Sequence, residues 1–179
     1  LSNIFLELKK LEDAERFARL AIEINPNHAN SHNNLGQTLF ELGKYEDALS
    51  SIKRSISLQS NNVQAHNNLG IILRKLNRLD EAKTSLEVAI KLNPDFYLAY
   101  INLGTILFDQ KKYEQAELVF LKALQLDNRC FEAYLNLGEL YIFSKKYSHA
   151  IQLYNRALDI FPSNDSIKYA LLTLYVKTS

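Results

Sequence analysis

Apolar and small residues along this chain fall on one grid with a period of 34 residues. A leucine and a glycine recur together as Leu35-Gly36, Leu69-Gly70, Leu103-Gly104 and Leu137-Gly138, each pair preceded by an asparagine. Twelve residues after each glycine stands an alanine (Ala48, Ala82, Ala116, Ala150), and seven further on another small residue (Ser55, Ala89, Ala123, Ala157). Prolines keep the same register at Pro26, Pro94 and Pro162. The pattern predicts two helices of roughly 12 to 14 residues per repeat, each marginal alone and stable only by burying an apolar face. The glycine of the first helix and the alanine of the second strip bulk from their contact, and the leucine fills the neighbouring gap. The later small residue lets the second helix pack on the first helix of the next repeat. Pro94 and Pro162 are expected to stop the second helix, which proline cannot continue.

This period, with L-G, A and P at these offsets, resembles the tetratricopeptide signature over the whole chain. The usual tryptophan is replaced by His32, His66, Tyr100 and Tyr134, and the usual tyrosine by Leu39, Leu73 and Leu107 but not at Tyr141. The resemblance implies an all-α fold, a right-handed α-solenoid of stacked antiparallel helix pairs in a single domain. Full repeats run 29–62, 63–96, 97–130 and 131–164, flanked by partial ones at 1–28 and 165–179. The first helix of the opening partial repeat is expected to be cut short, because Leu1 already stands in the slot before the glycine. At the other end Ile167, Leu171, Leu174 and Tyr175 make one apolar stripe while Leu172 and Val176 are apolar on another face, where a polar cap is expected. With no methionine in the sequence, the expectation is a piece of a longer protein that continues past both ends, or else self-association through the terminal helices.

A basic residue recurs in the turn between paired helices at Lys10, Lys44, Arg78, Lys112 and Lys146, followed by acids such as Glu46, Asp47, Asp80 and Glu81. Cations closing one helix and anions opening the next would suit both helix dipoles. The alternative is a basic stripe along one edge.

In tetratricopeptide arrays the first helices line a concave wall, so the resemblance places a peptide-binding groove on them. Asn34, Asn68, Asn102 and Asn136 would form a ladder of amides, each offering a donor and an acceptor to any main chain. This is similar to the asparagine ladder in the tetratricopeptide arm of O-linked N-acetylglucosamine transferase. The same asparagines could instead bond their own helices or neighbouring repeats. Asn33, Asn67, Gln37, Phe40, Arg74, Lys75, Phe108 and Phe143 complete the candidate groove. A carboxylate clamp of the chaperone-binding kind fits poorly, since Asn33 and Gln37 occupy two of its positions. Asn68→Ala and Asn102→Ala are expected to weaken binding and leave stability nearly unchanged.

Charge and chemistry narrow the function further. Lysine and arginine total 21 against 20 acids, so a net charge of +1 supplies no global field for nucleic acid or an anionic surface. The lone Cys130 excludes an internal disulfide framework and any paired-thiol metal site. His28 and His32 have the i, i+4 spacing of a metal pair but lack a third ligand; His32 and His66 read as residues at the edge of the core. No nucleophile motif, phosphate-cradling loop or H-E-x-x-H is present. No catalytic residue, cofactor or metal is therefore expected, nor nucleic-acid binding, membrane insertion or a signal peptide, and a cytoplasmic location is favoured. The expected function is a protein-interaction scaffold binding an extended peptide segment of a partner. The alternative is the substrate-recognition arm of a larger enzyme, such as a glycosyltransferase, with its catalytic domain outside these residues.

Overall fold

The computed structural model describes residues 10–178, and among these the fold is all-α. Ten helices of 13 or 14 residues follow one another, within the predicted length: α1 (Leu11–Ile24), α2 (Ala29–Glu41), α3 (Tyr45–Leu58), α4 (Val63–Lys75), α5 (Leu79–Leu92), α6 (Tyr97–Asp109), α7 (Tyr113–Leu126), α8 (Phe131–Phe143), α9 (Tyr147–Ile160) and α10 (Asp165–Thr178). The shortened first helix expected at the start of the chain lies outside the described residues. The chain divides into two compact units, one up to Asn102 and one from Leu103.

In both units the glycine is a notch for the opposing helix. A Cβ on Gly36 would come within 2.6 Å of Ile52, one on Gly70 within 2.6 Å of Leu86, and one on Gly104 within 2.5 Å of Phe120. At Gly138 the Tyr154 ring fills the space a Cβ would need. Ala48, Ala82, Ala116 and Ala150 are fully buried beside these contacts, which is why no larger residue fits the grid there.

Turns within a pair are closed by backbone. After α2 the Gly43 N–H donates to the Phe40 carbonyl and the Lys44 N–H to that of Leu39, at 2.9 and 2.8 Å. The same two bonds follow α4, α6 and α8, a Schellman closure that requires a left-handed residue. Gly43 meets that need without strain at φ 75°, whereas Asn77, Lys111 and Lys145 adopt it at 58°, 61° and 57°.

Proline does not set the length of the second helices. α3 ends at Leu58 and α7 at Leu126 with no proline following, in register with α1, α5 and α9. In three of the loops, two with a proline and one without, an acceptor side chain closes the turn. Asn25, Asn93 and Asp127 each accept the backbone N–H two residues on, an Asx turn that competes with helix.

The recurrent cation also differs from expectation. Lys44, Arg78, Lys112 and Lys146 are the residues immediately before α3, α5, α7 and α9, where a positive charge opposes the helix dipole. Two of the ammonium groups turn back to the preceding repeat. Lys44 Nζ lies 2.7 Å from Glu15 in the first unit, and Lys146 Nζ lies 2.7 Å from Glu117 in the second. Arg78 forks onto Glu81 one turn ahead, and Lys112 donates to Gln110. The bond from Lys44, reinforced by Arg19, holds the Glu15 carboxyl below the ordinary carboxylate range.

The tryptophan slot fixes the inter-repeat loops. His32 Nε2 donates to the Pro26 carbonyl, His66 Nε2 to Ser60 and the Tyr100 hydroxyl to Pro94, always six residues back. Tyr134 departs from this series: its ring packs edge-on to Phe161, and its hydroxyl is buried without a hydrogen-bond partner among the described residues.

Candidate functional site

The candidate residues of the first unit lie on α2, α4 and the first turns of α6. Asn34, Asn68 and Asn102 are half-buried. Asn33 and Asn67 depart from the expectation of an open groove, being only 9% and 4% exposed. They are buried because each supplies an acceptor to the next repeat. Asn68 Nδ2 donates to Asn33 Oδ1 at 3.1 Å, and Asn102 Nδ2 donates to Asn67 Oδ1 at 2.9 Å. The bonds use one N–H of each amide, so Asn68 and Asn102 keep a second N–H and the carbonyl oxygen. They also fix which way each amide points. For Asn34, which has no preceding partner of this kind among the described residues, the backbone carbonyl is engaged by Thr38 Oγ1.

Gln37, Phe40 and Asn68 meet around a small cleft of about 80 Å³, together with Glu41, Ile71 and Ile72. Two helices make it: α2 contributes Gln37 and Phe40 one turn apart, and α4 contributes Asn68 and Ile71 at the same spacing. Phe40 is held from behind by Tyr45, the first residue of α3, with ring centroids 5.5 Å apart. Arg74 and Lys75 are in the last turn of α4 and outside this lining.

The second unit has a different surface. Phe108, Tyr113 and Phe143 form a mutual aromatic cluster with centroids 5.2 to 5.6 Å apart, and Phe143 is 59% exposed. An open cleft beside it is lined by Tyr113, Glu114, Leu140, Phe143, Lys145 and Lys146 among others. Tyr113 is absent from the sequence-derived set. Its signal is the five-residue step from Phe108, repeated from Phe40 to Tyr45. Asn136 is half-buried on α8, and the residue 35 positions before it, the spacing of the acceptor in the first unit, is Ile101, whose side chain has no acceptor. Glu117 accepts from both Lys146 and the Tyr141 hydroxyl, the latter at 3.0 Å. Burial first, and then the Glu117 carboxylate, push the Tyr141 phenol up to about 12.

These surfaces present side-chain amides in the first unit and aromatic faces in the second. His28 bonds Ser31 and His32 bonds a loop carbonyl, and no group of three metal-ligating side chains occurs among the described residues. No helix among them is long and apolar enough to cross a membrane.

Comparison with known proteins places this architecture. Models of the tetratricopeptide repeat match residues 1–28, 28–95 and 95–163. No curated protein sequence matches. PilF of Pseudomonas aeruginosa is similar in structure at a TM-score of 0.84 and 26% identity, over 97% of this chain and 79% of that one. A thermophilic TPR protein of Thermus thermophilus matches at a TM-score of 0.84 and 20% identity, over 98% of this chain and 96% of that one. YrrB, described as a TPR protein with an unusual peptide-binding site, matches at a TM-score of 0.70 and 22% identity over 94% and 87% of the two chains. Grid, hairpins and family models agree that this chain belongs to the tetratricopeptide-repeat family.

Proposed function

We propose that this chain is a protein-interaction scaffold whose first helices hold an extended segment of a partner protein. The observation that carries the reading is the cleft between α2 and α4, where the amides of Gln37 and Asn68 stand beside Phe40 and Ile71. Amides satisfy a passing main chain whatever its sequence, and the apolar wall takes a side chain that would otherwise meet water. In this reading Asn34, Asn68, Asn102 and Asn136 form a ladder similar to that of O-linked N-acetylglucosamine transferase. Asn33 and Asn67 act behind it by holding the amides in one orientation. Phe108 and Phe143, joined by Tyr113, are the anchor of the second unit, and Arg74 and Lys75 favour an acidic flank. The peptide-binding site described for YrrB supports such a use of this fold.

Arrayed peptides of about a dozen residues, probed with the wild type and with Gln37→Ala/Phe40→Ala, test the reading. Binders held by the wild type and weakened about tenfold or more by the double variant support it. Binders indifferent to both substitutions, with circular dichroism unchanged, would refute it.

A further inference from the structure

A single charged group borders the amide cleft of the first unit. Gln37 and Asn68 line it with amides, Phe40, Ile71 and Ile72 with apolar surface, and Glu41 with a carboxylate. Glu41 is the last residue of α2 and is exposed. Glu15, Glu81 and Glu117 each accept from a lysine or arginine, whereas Glu41 has no hydrogen bond or ion pair among the described residues. The same position recurs with the opposite sign. Lys75 stands 34 residues on, at the end of α4, exposed and just outside the lining. α2 and α4 are neighbours, tied by bonds from Asn62 to Asn30 and from Asn68 to Asn33, and packed helices lie about 8 to 10 Å apart. An anion on the α2 side and a cation on the α4 side therefore flank the cleft. An extended chain covers that separation in about three residues.

The apolar floor sets the size of the side chain received between those charges. Ile72 is only 1% exposed, and the space of about 80 Å³ is roughly half of the ~150 Å³ that admits a benzene ring. It takes a branched aliphatic side chain and has no room for an aromatic one. Resting on the reading of this cleft as a peptide site, we infer that the partner segment carries three features in order. A lysine or arginine meets Glu41, a residue of valine to leucine size fills the cleft, and an aspartate or glutamate about three positions from the basic residue meets Lys75. The amides hold any main chain, so the charges supply what the amides lack, a register. Moved one repeat along, the segment would set its basic residue against Lys75, and like charges so placed reject the wrong alignment.

Arrayed peptides of about a dozen residues, randomised at their central positions and probed with the full chain, read this order directly. Peptides retained by the wild type should be enriched in a basic, then an aliphatic, then an acidic residue. Glu41→Lys should exchange the basic preference for an acidic one, shifting the ratio of basic to acidic binders at least about tenfold, with the aliphatic preference kept. Glu41→Gln should lower affinity for the selected basic peptides about twofold to fivefold, the size of an exposed pair. The equivalent position of α4 already holds Lys75, so the helix accepts these residues, and circular dichroism checks that it persists. Two failures are distinct. Peptides that depend on Gln37 and Phe40 but show no basic preference, prefer an aromatic residue in the cleft, or ignore Glu41→Lys would overturn this assignment and leave the peptide cleft intact. No retained peptide at all would overturn both.

Discussion

The two units share one backbone grid and fill it with different chemistry. In the first, the residues seated in the glycine notches are aliphatic, Ile52 and Leu86; in the second they are aromatic, Phe120 and Tyr154. In the first, successive repeats are tied by amide bonds from Asn68 to Asn33 and from Asn102 to Asn67. In the second, ring contacts among Phe108, Tyr113 and Phe143 take that place. The difference teaches that the glycine, the alanine and the Schellman turn fix the hairpin, and that what fills the rest is free to vary. It also separates the candidate surfaces into an amide cleft and an aromatic cluster.

The largest expected effect comes from the notch partners. Phe120→Ala should cost about 3 to 5 kcal/mol, toward the top of that range, while Ile52→Ala should fall lower within about 2 to 5, both read from urea unfolding. Equal costs would mean the aromatic filling adds nothing.

The amide bonds come next. Asn102→Ala leaves the buried Asn67 carbonyl unpaired and should cost about 1 to 3 kcal/mol, contrary to the expectation from sequence that stability is unchanged. Asn136→Ala, where the residue at the acceptor spacing is Ile101, should cost well under about 1 kcal/mol. A double variant Asn67→Leu/Asn102→Ala should recover part of the loss if the two residues act as a pair.

Smaller again is a gain. Lys145→Gly relieves a left-handed lysine and should stabilise by about 1 kcal/mol, measured as a rise in melting temperature. Gly43→Ala should lose a similar amount, since nothing else crowds that position. Alkali should give the slightest effect, confined to the second unit. Burial raises the phenols of Tyr134, Tyr154 and, to about 12, Tyr141. A raised phenol binds its proton more tightly when folded, so its contribution is complete below the ordinary value near 10 and is lost as pH climbs toward 12. Tyrosinate absorbance should show a late-ionising component that Tyr141→Phe diminishes. Acid acts on the first unit instead, because the depressed Glu15 carboxyl loses its pairing as pH falls through its folded value.

The sequence carries the helix pairs and their register because a 34-residue repeat reports packing four times over. Gly36 and Ala48 announce a close contact before any coordinate is known. What stayed hidden depends on which side chain reaches across. The pairing of Lys44 with Glu15 and of Lys146 with Glu117 spans 29 residues, close to the repeat but not in register with any motif. Asn33 and Asn34 look alike as adjacent amides, yet a helix turns roughly 100° between them, burying one and leaving the other half open. Pro94 suggests a stop that Leu58 and Leu126 reach without proline. Tyr113 was recoverable from the Phe40 to Tyr45 spacing, a signal weaker than the repeat motifs around it.

The central claim is that the amide cleft of α2 and α4 receives an extended partner segment. Side-chain amide NMR signals of Gln37, Asn68 and Asn34, followed while an array-selected peptide is titrated, test it most directly. The account predicts that these signals shift together with the Phe40 ring resonances, and that Asn67, buried behind them, moves less. Shifts confined to the exposed leucines of α7, Leu118 and Leu121, with Gln37 and Asn68 unmoved, would contradict it.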